Sequence, residues 1–227
     1  MVTSDRNMKG VVIIMRMTKK KRKQKKKLQM RNKRLIKKYY WLMPIGWDGK
    51  PPKHYDYTWI EWGWSHGWDK AFGQMYMDEL GAAIKEAGQK DFYILELKEK
   101  YGQARCYTSS TTRKVHDIIN KYEFISENIC YFCGVEAPMV NTGWMLPECF
   151  DCFKKYYRDD ERTEDEIRQL YNQFVCEKPD ENGEWHMADS YTMRSWDRDT
   201  GNPIDTEYDI SETTALIRKR QARWKNG

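Results

Sequence analysis

Cys130-Tyr131-Phe132-Cys133-Gly134, followed by Cys149-Phe150-Asp151-Cys152, decides how this 227-residue chain is read. Two Cys-x-x-Cys pairs separated by fifteen residues can close four thiolates around one metal ion. A tetrahedral zinc ion takes soft ligands at about 2.3 Å, and a Cys-x-x-Cys turn supplies two of them from one tight loop. Gly134 stands where such a knuckle needs a left-handed residue. Pro147 precedes the second pair, and Phe153-Lys154-Lys155-Tyr156-Tyr157 follows it, so Cys149 and Cys152 are expected near a helix start. There the free N–H groups favour the negative charge of a metal tetrathiolate. Knuckle, a short hairpin around Asn141-Thr142-Gly143, and helix make a treble-clef-like order. Two other readings stay open, a pair of disulfides or a rubredoxin-like iron site. No secretion signal supports the first, and the second pair lacks the glycine expected of the second. Cys130, Cys133, Cys149 and Cys152 are therefore expected to hold one Zn2+. Four protein ligands close its coordination shell, so its role is structural.

Outward from this site, charge divides the chain. Residues 1–40 hold sixteen Lys/Arg against the single acid Asp5, and the remaining 187 residues carry 24 basic and 33 acidic side chains. A basic arm is thus set on an acidic body. Its centre, Lys19, Lys20, Lys21, Arg22, Lys23, Lys25, Lys26 and Lys27, is a candidate for sequence-independent attachment to nucleic-acid phosphates. The competing reading is a solvated tail. A block with so much like charge repels itself and is expected to be disordered or at best a frayed helix. Met17-Thr18-Lys19 reads as a translation start alternative to Met1.

Between arm and knuckle, residues 39–128 read as an aromatic-rich α+β body. Loop punctuation (Gly46-Trp47-Asp48-Gly49) and an extended, Trp-rich segment from Tyr55 to Trp64 come first. Such rings can stack on unpaired bases, or simply pack. Trp68, Phe72, Met75, Tyr76, Leu80, Ala83, Ile84 and Ala87 fall at helical spacing, and Gly88 ends that helix. A hairpin comes next, Phe92–Lys98 and Gln103–Thr108 about Tyr101-Gly102. The second helix is capped by Thr111 or Thr112 and buries Val115, Ile118, Ile119, Tyr122 and Ile125. The whole is a helix–hairpin–helix body with a four-cysteine module at 129–158 and a helical, acidic extension at 159–227. In that extension Thr163 to Glu166 forms a capping box for a helix burying Ile167, Leu170, Tyr171 and Phe174. A hairpin is expected from Met193 to Ile204. A second capping box, Asp209 to Glu212, opens a final basic helix that carries Arg218, Lys219, Arg220, Arg223 and Lys225. Residues 148–189 hold thirteen acids and six bases, either a solvated face or a surface for a basic host protein.

Several of these pieces recur together: Arg31-Asn32-Lys33-Arg34-Leu35-Ile36, Trp41-Leu42-Met43-Pro44, Tyr55-Asp56-Tyr57-Thr58, Gly67-Trp68-Asp69-Lys70-Ala71-Phe72-Gly73, Lys98-Glu99-Lys100-Tyr101-Gly102 and the Cys-x-x-Cys-Gly knuckle. In that order, over roughly residues 31–153, the chain resembles an uncharacterised family of small tailed-phage proteins. The resemblance implies a phage or prophage origin and action inside a bacterial host. It implies no reaction.

Catalytic signatures are sparse. Nucleases of the HNH type place a histidine base beside paired cysteines, and residues 134–148 contain none. His54, His66, His116 and His186 are scattered singly; a pairing of Cys176 with His186 would be a remote second metal site. Phosphate loops and nucleophile elbows do not occur. No apolar run approaches a membrane span. The expectation is a cytoplasmic, non-enzymatic zinc protein that binds nucleic acid, with no membrane and no small-molecule substrate. An inhibitor or modulator of host (anti-defence) machinery is the alternative, and a metal-dependent nuclease a distant third.

Overall fold

The structure is a computed structural model and describes residues 19–45, 64–177, 185–197 and 199–225. The expectations placed on residues 1–18 and on Gly46 to Gly63 lie outside them. Helices and three two-stranded antiparallel sheets make an α+β chain.

Where disorder or at best a frayed helix was expected of the basic arm, Lys19–Lys38 forms helix α1. Lys, Arg, Gln, Leu and Met all have good helix propensity, and the helix is tethered at its C-terminal end. Ile36 is buried there, and Tyr39, just beyond, is 3% exposed. Lys38 Nζ pairs with Asp78 Oδ1 at 2.7 Å, the Tyr39 hydroxyl donates to the same carboxylate, and Gln74 Nε2 donates to Tyr39 Oη at 2.7 Å. Burial works against ionisation of Asp78, but the hydrogen bonds from Lys38, Tyr39 and Gln74 prevail and hold it at about 2.

Three segments run on as one helix, α2: His66–Trp68, a π turn at Asp69–Gly73, and Gln74–Glu86. Ser65 caps it by accepting from Trp68 N–H. The π turn inserts about one residue, rotating the later turns of α2 relative to a regular 3.6-residue period. Beyond it Tyr76, Leu80, Ala83 and Ile84 keep the expected stripe, Met77 joins them in the core, and Ala87, the C-cap, is exposed. Of the tryptophans, Trp41, Trp64 and Trp68 are core residues. Trp64, Tyr76 and Tyr122 form a stack with centroid separations of 5.3 and 4.5 Å.

The hairpin β1 Ile94–Lys100 and β2 Gln103–Thr108 starts two residues later than expected, with a bulge between Ile94 and Glu96. Its two-residue turn has Tyr101 at φ 53° and Gly102 at φ 81°, the left-handed pair that suits strand twist. Helix α3, Arg113–Ser126, is capped by Thr112 and packs on β2 and α2 through Val115, Ile119, Tyr122 and Ile125. It leads directly into the cysteine knuckle.

Beyond the knuckle come β3 Met139–Asn141, β4 Met145–Pro147 and α4 Phe150–Phe153, which continues as a 3-10 turn through Tyr157. Helix α5, Glu164–Phe174, carries the complete Thr163–Glu166 capping box. With Val140 and Phe153, its Ile167 and Tyr171 make a small second core. The last hairpin, β5 Ser190–Trp196 and β6 Pro203–Asp209, is longer than the sequence suggested. Asp209 does not form the expected box with Glu212. Its Oδ1 accepts instead from Ser211 N–H at 2.8 Å, at the start of α6, Ser211–Lys225. Among the described residues no helix is long and apolar enough to cross a membrane.

Candidate metal centre

Cys130 and Cys133 sit on a turn whose backbone is closed by two hydrogen bonds, Cys130 N–H to Val135 O at 2.7 Å and Gly134 N–H to Cys130 O at 3.0 Å. Gly134 takes φ 84° to make this closure, as its position after the knuckle required. Cys149 is the N-cap of α4, with Cys152 one turn on. Cys152 and Phe153 N–H both donate to Cys149 O at 3.0 Å. The β3–β4 hairpin brings the two pairs face to face: Tyr131 N–H donates to Pro147 O at 2.8 Å, and Glu148 N–H to Pro138 O at 3.1 Å.

The four Sγ atoms lie within 4.8 Å of one another. Cys133 and Cys149 are 3.6 Å apart at sulfur, far from the roughly 2.0 Å of a disulfide and near the ~3.8 Å between sulfurs sharing a tetrahedral ion. All four thiols are free. Cys130 is fully buried and Cys152 5% exposed. So close together, the thiols obstruct each other's ionisation. Hydrogen bonds from Cys130 and Cys149 hold Cys133 down at about 2. Contacts with Cys130 and Cys133 drive Cys149 far upward, and burial lifts Cys152 to about 12. A divalent cation removes that conflict, because it stabilises every thiolate at once. The cluster can therefore hold a metal ion. Lys155 Nζ lies 3.9 Å from Cys152 Sγ.

Contacts the sequence did not disclose pin the centre to the body. Gly67 N–H donates to Tyr131 O at 3.2 Å, and Trp68 Nε1 donates to Ile129 O at 2.9 Å. The approach at Gly67 is so close that a Cβ would stand 2.3 Å from Cys130 O and 2.8 Å from Gly134 N. Gln221 Nε2 of α6 donates to Gly134 O at 2.9 Å. Arg218 spans three acceptors: Glu136 Oε1 at 2.7 Å, Asp189 Oδ1 at 2.9 Å and Met187 O at 2.7 Å. Of the basic side chains on the last helix, this one is a clamp.

The other candidates stand apart from the cysteines. Lys19, Lys20, Lys21, Arg22, Lys23, Lys25, Lys26 and Lys27 lie exposed on α1, whose C-terminal end meets α2 at Asp78. His66, His116 and His186 are exposed and outside the cysteine group, as is Cys176; His54 lies outside the described residues. No protein-family model matches the chain, and comparisons with curated proteins and with solved structures return no match.

Proposed function

We propose that this chain is a non-catalytic, phage-type accessory protein that binds nucleic acid, with one structural zinc ion holding a treble-clef-like module in place. The observation that carries the binding half of this reading is α1. Its twenty residues include thirteen Lys/Arg and no acid, and the nine-residue stretch from Lys19 to Lys27 is exposed throughout. A helix so charged, tethered at one end, is suited to lie along phosphates without reading sequence. The zinc half rests on the donor set: four thiols within 4.8 Å of one another, half-buried or buried, with no site left for water or substrate once they bind. A reading through the acidic surface has less support. Glu164 already pairs with Lys154 at 2.8 Å, and Glu166 serves the capping box of α5, so two of the acids have structural employment.

The test is titration of labelled duplex and single-stranded DNA and RNA across a range of salt. A helix can direct roughly half its cations at one strand, so about six phosphates are engaged and log K falls with log salt at a slope of about −5 to −6 on duplex. Changing Lys19, Lys20, Lys21, Arg22, Lys23, Lys25, Lys26 and Lys27 to Gln keeps the helix and the Ile36 anchor and should abolish binding. Unchanged affinity in that variant would remove α1 from the interface.

A further inference from the structure

Of the cations Arg218, Lys219, Arg220 and Arg223 on α6, Arg218 alone has an acidic partner among the described residues. The acidic body pairs many of its other cations, as Lys114 with Glu86 and Lys121 with Glu79. Lys219 and Arg223 are exposed, about one helical turn apart, on the side away from the buried Ile217 and Gln221, and Arg220 is half-buried beside them. Helix α6 carries one acid, Glu212, in its first turn. Asp151 lies toward the other flank, in a cavity shared with Arg218, Gln221 and Ala222. A helix macrodipole favours cations within the last turn, which accounts for Arg223 but not for Lys219 and Arg220. Like charges three and four residues apart destabilise a helix. A polyanion relieves such an unpaired, mutually repelling set.

A second observation connects this ridge to α1. The π turn of α2 meets both basic helices. Its Asp69 and Gly73 line a cavity with Arg31 and Leu35 of α1, and Lys70, between them, holds its Nζ 3.7 Å from the centroid of the Trp224 ring on α6. Packed helices have axes about 8–10 Å apart, so α1 and α6 stand within about 20 Å of each other at α2. Each strand of a duplex places a phosphate every ~3.4 Å along the axis, so about six phosphates span that gap. Trp224 has Lys70 over its ring and packs against the main core, so it is no platform for unpaired bases. Charge is what the ridge offers, and a duplex backbone is its match.

We infer that Lys219, Arg220 and Arg223 form a second phosphate-binding site, and that one duplex lies across α1 and α6 together. This rests on the nucleic-acid reading proposed above and adds a site to it. The test is a salt titration of the full chain on a labelled DNA duplex of about 24 base pairs, long enough to cover both helices. Two to three further phosphates on α6 steepen the slope of about −5 to −6 worked for α1 alone to about −7 to −8. Lys219→Gln, Arg220→Gln and Arg223→Gln together keep helix propensity. They should return the slope to that of α1 and weaken binding about 100-fold near 0.1 M salt. The exchange Lys219→Arg, Arg220→Lys and Arg223→Lys should keep the parent slope. Removing equal charge near the C-terminal end of α2, by Lys85→Gln, Lys90→Gln and Arg113→Gln, should change affinity by less than about threefold. Unchanged melting shows that the variants are folded. A parent slope no steeper than about −6 would leave α1 as the binding helix and overturn the second site. An equal loss in the Lys85, Lys90 and Arg113 set, or a lost slope in the charge-conserving exchange, would overturn it too. A parent that binds no duplex would refute the nucleic-acid reading itself, and this inference with it.

Discussion

Replacing Gly67 by alanine adds one methyl group where α2 touches the knuckle, and the consequence can be worked from the contacts. The new Cβ would lie 2.3 Å from Cys130 O, 2.7 Å from Tyr131 O and 2.8 Å from Gly134 N. These are backbone atoms, so no side chain can swing aside; the knuckle must retreat by about 1 Å from a normal contact near ~3.4 Å. Retreat strains the Gly67 N–H to Tyr131 O bond and the buried Trp68 Nε1 to Ile129 O bond, at roughly 1 kcal/mol each. Overpacking contributes about 1–3 kcal/mol more, and the better helix propensity of alanine returns less than about 1 kcal/mol. The net loss is about 3 kcal/mol. Because folding and metal binding share free energy in such a module, and about 1.4 kcal/mol is tenfold, zinc affinity should fall about 100-fold. Urea unfolding followed by tryptophan fluorescence reads the first number, and competition with a chromophoric chelator the second. Gly88→Ala is the control. Its Cβ meets nothing within 4 Å and suffers only the cost of φ 63°, about 1 kcal/mol, with no change in zinc affinity. A Gly67→Ala protein that holds zinc within about threefold of its parent would refute the coupling between α2 and the metal site.

Cys130→Ser and Cys149→Ser should each lose stoichiometric zinc and expose the amides of residues 129–158 to hydrogen exchange, as a strong chelator should in the parent; a parent whose melting ignores the chelator would contradict this. Arg218→Ala leaves Glu136, whose side chain is 18% exposed, without its partner. It should cost about 2 kcal/mol and speed exchange in α6 about 30-fold, and Arg218→Lys should not restore protection, because one ammonium cannot span the three acceptors. Burial, against the opposing charge of Arg105, raises Glu127 to about 7. Native Glu127 thus keeps a proton that the unfolded chain has lost above about 4.3. Stability should fall as pH rises between those values, by about 2 kcal/mol after allowance for partial exposure, and Glu127→Gln should flatten that part of the curve in chemical denaturation.

The clustering of the four cysteines, the Thr163–Glu166 box, a cap at Thr111 or Thr112 and the Tyr101-Gly102 turn were legible because each is decided over a few residues. Spacing, a side-chain oxygen or a left-handed glycine settles them locally, and the structure keeps all four. Helical periodicity was legible only as far as the period held. Tyr76, Leu80, Ala83 and Ile84 follow it, but Ala87, the C-cap where the helix ends, lies in solvent, and Met77 is buried beside the stripe. The fate of the lysine block turned on something remote. Lys38 and Tyr39, beside the buried Ile36, find their partner on α2, some forty residues away in the chain, and local repulsion alone could not foretell that tether.

From its residues alone, this protein has a cysteine set that could hold a metal ion, an acidic body and a basic segment. Tertiary structure decided which backbone the knuckle leans on and which arginine is a clamp. Those outcomes depend on atoms brought together from distant parts of the chain, and sequence spacing carries no record of such meetings.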